Sequence, residues 1–191
     1  MESEIQNVPL AYYAIDAATK DMGFTMPSDI LTCSLLKTLA ATKPNGKFLE
    51  LGTGTGLSTA WILDGMDENS SLTSIDNDSS LLEIAQKHLG NDTRLCLDCI
   101  DGETWVNANL DQKFDYIFAD TWHGKYLMLD EVLEMLNIGG LYIIDDMLPK
   151  ENWPEGHAEK ALHLEKYLER RTDLKLTKLN WATGIIIAVK V

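Results

Sequence analysis

Long apolar runs are missing from this sequence. The longest, GIIIAV near the C-terminus, falls far short of the ~20 residues a membrane-spanning helix needs, so no membrane partner is expected. Basic residues are scarce: 16 Lys and Arg stand against 30 Asp and Glu, a formal net charge of −14. They are scattered rather than blocked, so the average surface repels a phosphate backbone and nucleic acid is not an expected partner. Cysteine is rare as well, with three in 191 residues. Cys96 and Cys99 make a C-x-x-C, but no second Cys or Cys/His pair lies at ligand spacing, so a structural role outweighs zinc or redox chemistry. The opening MESEIQNVPL has neither the basic nor the apolar region of a signal peptide. These absences leave a soluble cytoplasmic protein as the expectation.

What is present is a core-forming composition, 45% hydrophobic over 191 residues. That is enough for one well-buried domain and too little for two, so residues 1–191 are expected to form one domain, with 1–27 a helical cap and 28–191 the core. Periodicity predicts two helices first, VPLAYYAIDAATKDM and DILTCSLLKTLAATK, the second capped by Ser28. Strand candidates follow at KFLEL, SLTSID, TRLCLD, FDYIFAD and GLYIID. Helix-compatible stretches separate them: LSTAWILDG, DSSLLEIAQKHL, GETWVNANL and KYLMLDEVLEML. A loop with Pro149 and Pro154 precedes GHAEKALHLEKYLERR, and LKLTKLN and GIIIAVKV close the chain with no helix between them. Such alternation predicts an α/β fold: a doubly wound, mostly parallel, Rossmann-like seven-stranded sheet, helices on both faces, and an antiparallel C-terminal strand.

Two patterns carry chemistry. The five central strand candidates finish at Glu50, Asp76, Asp98, Asp120 and Asp145, which would set a row of carboxylates along the ligand-binding edge of the sheet. The first strand also runs through Glu50 into the turn Gly52-Thr53-Gly54-Thr55-Gly56. A dinucleotide site would use G-x-G-x-x-G and would not welcome the extra carboxylate. A ligand with a ribose, an amino group and a positive centre but no phosphate suits the pattern better, with Asp76 accepting the ribose hydroxyls. S-adenosyl-L-methionine is such a ligand.

LELGTGTG and SIDND resemble the first motif and the second-strand acid of the class I S-adenosylmethionine-dependent methyltransferases. FDYIFADTWHGKY followed by GGLYIIDDML is similar, more narrowly, to the O-methyltransferases of the catechol and caffeoyl-coenzyme A type. The resemblance implies methyl transfer to a small phenolic or catechol-like acceptor. It implies cofactor contacts from Glu50, Gly52, Thr53, Gly54, Ser58, Asp76, Asn77, Asp98, Cys99, Asp120 and Trp122, with Met26 and Ser28 near the methionine end. It also implies a divalent ion, Mg²⁺ in the first instance, on Asp120, Asp145 and Asp146; hard oxygen ligands of this kind suit such an ion. Asp146 stands where the family has Asn. His123 takes the place of the family's catalytic lysine, three positions after Asp120, and is the first candidate for the base, Lys125 the second. A loop histidine held by local hydrogen bonds is an equal reading of His123, while His88, His157 and His163 read as helix-surface residues. Metal-independent methyl transfer is the runner-up. A nucleotide-binding oxidoreductase, a transfer RNA methyltransferase and a non-catalytic binding module stand behind it. The first helix, apolar on one side, is expected to cover the substrate mouth or to meet a second copy in a homodimer.

Overall fold

The computed structural model describes Ile5, residues 7–149, Trp153 and residues 156–191. Pro154, part of the expected loop, lies outside the described residues. Two helices, α1 (Tyr12–Met22) and α2 (Ile30–Ala40), precede β1 (Lys47–Leu51). Then follow α3 (Leu57–Gly65), β2 (Ser71–Asp76), α4 (Ser79–Leu89), β3 (Leu95–Cys99), α5 (Gly102–Ala108) and β4 (Phe114–Ala119). The chain continues through α6 (Leu129–Glu134), β5 (Leu136–Ile144), α7 (His157–Glu169), β6 (Leu174–Leu179) and β7 (Ile185–Lys190).

The strands form one seven-stranded sheet in the order β3-β2-β1-β4-β5-β7-β6. All pairs up to β5 are parallel, and β7 runs antiparallel to both of its neighbours. This is the expected Rossmann-like sheet. Its order reverses between β1 and β4, and at such a switch point a crevice opens beyond the strand ends.

Alternation along the strands supplies a core on each face. Leu49, Leu51, Ile117, Tyr142 and Ile144 pack with Leu164 and Leu168 of α7. Phe48, Leu72, Tyr116 and Phe118 pack on the other face with Leu36 of α2 and Ile62 of α3. Two helix boundaries differ from the expectation. Helix α2 is capped by Asp29, whose carboxylate accepts the Leu31 N–H at 2.7 Å, because the Ser28 hydroxyl is turned toward Asp120 at 3.0 Å. Helix α6 is much shorter than KYLMLDEVLEML, since Leu136 already pairs with Phe114 at the start of a nine-residue β5. Tertiary pairing overrides helix propensity there.

Helix α1 buries Ile15 and Thr19 and leaves Tyr13 and Met22 exposed, as is Leu10 just before it. The Thr19 hydroxyl lies 2.7 Å from both the Ile15 carbonyl and the Thr55 hydroxyl, so α1 is fastened to the glycine turn. Thr19→Val keeps the shape and removes that link, leaving the Thr55 hydroxyl short of a partner. It is expected to lower unfolding free energy by about 1–2 kcal/mol in a single cooperative urea transition. An unchanged midpoint would show that α1 is not fastened through this contact.

Candidate active site

A cleft of about 520 Å³ runs along the carboxyl ends of β1, β2, β4 and β5. Gly52, Thr53 and Gly54 of the turn, with Asp76, Asn77 and Asp78, form one end of it. Asp120, Lys125, Asp145, Asp146 and Thr183 line the other, and the segment from Phe24 to Asp29 covers it. A smaller cavity of about 230 Å³ adjoins the first end, between Ile75, Asn77, Ile100, Gly102, Trp122 and His123.

The turn is shaped by close contacts. Gly52 has φ +99°, and a Cβ there would stand 3.0 Å from the Asp120 carbonyl oxygen, so the ends of β1 and β4 are tightly packed at this residue. Asp76 fixes the next part, accepting the Gly54 N–H at 2.8 Å and the Asp78 N–H at 3.0 Å.

Of the expected carboxylate row, Asp76, Asp120 and Asp145 reach the cleft; Glu50 and Asp98 do not line it. Glu50 is fully buried and accepts from Ser58 at 2.6 Å, Thr59 at 2.6 Å and Ser74 at 2.5 Å. It shares the Phe48 face of the sheet, behind the turn and under α3, and Ser58 is buried with it. Asp98 accepts the Trp105 indole N–H at 3.0 Å, and neither it nor Cys99 lines the cleft or the smaller cavity, whose wall there is Ile100 and Gly102. Cys96 and Cys99 are free and exposed.

His123 and Lys125 part company at a tight turn. The Lys125, Tyr126 and Leu127 N–H groups all point at the Trp122 carbonyl, and Gly124 between them has φ +81°. His123 is thereby sent toward α5, where its ring packs on Gly102 and its Nε2 lies 4.0 Å from Asp101. That is the side of the smaller cavity. Lys125 goes the other way and is 5% exposed, with its ammonium donating to the Asp145 carbonyl at 2.8 Å.

The acids beside Lys125 carry charge at a cost. Burial, then the nearness of Asp145, raises the Asp120 carboxyl above its ordinary range, while Lys125 and the Ser28 hydrogen bond oppose the shift. Burial raises Asp145 as well, against its bonds from Thr183 and the Asp146 N–H. Among the described residues, no three His, Cys, Asp or Glu side chains are grouped as metal ligands. Asp120, Asp145 and Asp146 all line the same cleft without forming such a group. One Asp145 oxygen already receives two hydrogen bonds, and one Asp120 oxygen receives Ser28.

An aromatic wall, absent from the sequence expectations, stands along the cleft. Trp122 meets Tyr126 edge-on at 5.8 Å, and His157 lies edge-on to Tyr126 at 5.4 Å and tilted against Trp153 at 4.4 Å. Tyr126, Trp153 and His157 all line the cleft, so His157 is not a plain surface residue. Burial, then Lys125, lowers its pKa. The one signal was the position of His157 just after Gly156, at the start of a helix.

The sequence profile of a family described as a methyltransferase domain matches residues 49–147. The chain belongs to that methyltransferase family. Its fold is that of the class I enzymes, as three solved structures illustrate. A Corynebacterium glutamicum protein superposes with a TM-score of 0.82 at 20% identity, over 100% of this chain and 92% of its own. The O-methyltransferase from Bacillus cereus, solved in complex with SAH, gives 0.83 at 14%, over 95% and 90%. The O-methyltransferase TomG from Streptomyces achromogenes, solved with SAM, gives 0.81 at 18%, over 100% and 91%. No curated protein matches the chain by sequence. No helix among the described residues is long and apolar enough to cross a membrane.

Glu50 provides a test of the buried network. Desolvation raises its pKa from 4.5 to about 7, against the three hydroxyl donors. Because the folded value exceeds the unfolded one, ionising Glu50 inside the fold costs stability. The cost starts near pH 4.5 and is complete above about 7. Glu50→Gln is expected to gain on the parent by up to about 3 kcal/mol between pH 5 and pH 8. Parallel stability–pH profiles for the two proteins would contradict the buried carboxylate.

Proposed function

We propose that the protein is an S-adenosylmethionine-dependent O-methyltransferase acting on a small phenolic, catechol-like acceptor. The observation that carries this reading is a single cleft joining the glycine turn and Asp76 to the Asp120–Lys125–Asp145 group under an aromatic wall. Its volume of about 520 Å³ suits a small organic ligand. The adjoining cavity, apolar at Ile75 and Ile100, suits a flat base.

Gly52 and Gly54 bring bare backbone to the cleft, and Asp76 keeps lone pairs for ribose hydroxyls beyond the two amides it accepts. Trp122, beside both cavities, would separate adenosine from acceptor. S-adenosylmethionine would supply a methyl group on a sulfonium, transferred in line to an acceptor oxygen. The chain's part is to align that oxygen and remove its proton. Tyr126, Trp153 and His157 give a planar acceptor a wall to pack against. Asp120 and Asp145, on the cleft wall at this end, are the side chains placed to accept it in their ionised form. None of these steps needs a divalent ion.

S-adenosylhomocysteine (SAH) is expected to bind once per chain in a calorimetric titration. Asp76→Ala should weaken it by about 2–4 kcal/mol, losing the ribose contact and loosening the turn. Catechol or caffeate incubated with methyl-labelled S-adenosylmethionine should acquire one labelled O-methyl group. Absence of SAH binding would remove the methyltransferase reading; binding with label found only on nitrogen acceptors would move the chain to N-methylation.

A further inference from the structure

Positive charge is scarce in this cleft, and its location is informative. Lys125 and His157 are the basic side chains on the cleft wall among the described residues, against Asp29, Asp76, Asp78, Asp120, Asp145 and Asp146. Lys125 is the one held deep. It is 5% exposed, spends one N–H on the Asp145 carbonyl, and stands over the Tyr126 ring at 5.5 Å. A buried ammonium is costly unless nearby negative charge compensates it. Here the Asp145 backbone carbonyl accepts one of its hydrogen bonds, and the Asp120 and Asp145 side chains, at the ends of neighbouring strands β4 and β5, share its cleft wall. The turn through Gly124 aims it there; a Cβ on Gly124 would come within 2.6 Å of Leu51 Cδ1, so the chain has no other easy path.

We propose that the Lys125 ammonium is the resident cation of this site. It holds the acceptor oxygen in its ionised form and beside the aromatic wall, where a divalent ion would serve in an enzyme that binds one. The inference rests on the O-methyltransferase reading for the identity of that oxygen, but not for the cation's location. Two features favour a lysine over an ion. The carboxylates already carry protein donors: one Asp120 oxygen takes Ser28, and one Asp145 oxygen takes Thr183 and the Asp146 N–H. A fixed positive charge beside them also opposes the approach of a second cation. An ammonium retains two further N–H donors after the Asp145 carbonyl is served, enough to hold a phenolate oxygen. Lys125 is thus assigned a charge-stabilising role and not that of the base, since it works in its protonated form.

The test is Mn²⁺ binding, followed by paramagnetic resonance, for the parent, Lys125→Met and Lys125→Arg. Methionine keeps most of the length and removes the charge; arginine keeps the charge. The parent and Lys125→Arg should bind Mn²⁺ weakly, and Lys125→Met at least about tenfold more tightly, because the acids have lost their internal counter-ion. Lys125→Met should lose about 100-fold in turnover, regain part of it with Mn²⁺, and bind SAH as the parent does. The parent's turnover should be the same in EDTA as in Mg²⁺. A parent that binds Mn²⁺ as tightly as Lys125→Met, or whose turnover EDTA abolishes, would overturn the proposal. Failure of all three proteins to bind SAH would sink the methyltransferase reading instead, and the Mn²⁺ comparison would still decide where the cation sits. If Lys125→Met fails to fold, the parent's own Mn²⁺ affinity and EDTA response decide between lysine and metal ion.

Discussion

The meeting of Gly52 with the carbonyl oxygen of Asp120 organises the rest of the molecule. At 3.0 Å for a hypothetical Cβ, the contact lets β1 and β4 end side by side while their chains depart in opposite directions. Strand order reverses at that junction, with β2 and β3 on one side and β5, β7 and β6 on the other. The reversal opens the crevice, and the two groups of strands furnish its two ends. The glycine turn and Asp76 come from the first group, and the Asp120–Lys125–Asp145 group grows from the second. A side chain at position 52 would be strained at φ +99° and would crowd the Asp120 carbonyl where the two halves of the site meet.

Charge sets the second constraint. Three buried or partly buried acids, Glu50, Asp120 and Asp145, are all raised chiefly by loss of water. They are kept in place by different means. Glu50 is surrounded by hydroxyl donors and serves the architecture under α3. Asp120 and Asp145 have fewer donors and an ammonium beside them, and they face the cleft. The same residue type thus does structural work on one side of the turn and chemical work on the other, decided by what surrounds it.

Much of this was legible in the sequence. The strands could be read because apolar runs stand between clear turn signals, and the alternation fixed the sheet type. The glycine turn and Asp76 follow directly from that reading. The carboxylate row was only partly legible, for a geometric reason. Asp76 closes β2, and Asp120 and Asp145 each stand one residue past a strand; these reach the cleft. Glu50 and Asp98 are penultimate residues, still inside the strand, and fall under the helices. One residue of register decides the face, and strand ends are the least certain feature of a sequence reading. That His123 and Lys125 lie on opposite sides of their turn was not legible, because it depends on Gly124 reversing the chain in the left-handed region. The aromatic wall depends on α7 returning over the sheet, a tertiary fact that no local pattern contains.

Amide mapping by nuclear magnetic resonance tests the central claim, that the cofactor lies at the β1–β4 junction, most directly. Titrating SAH into the ¹⁵N-labelled protein should shift Gly52, Thr53, Gly54, Asn77, Ile100 and Gly102, which border the cleft and its side cavity. The amides of β6, at the far edge of the sheet, should stay in place. Shifts confined to β6 and its surroundings, or none at all, would contradict the account.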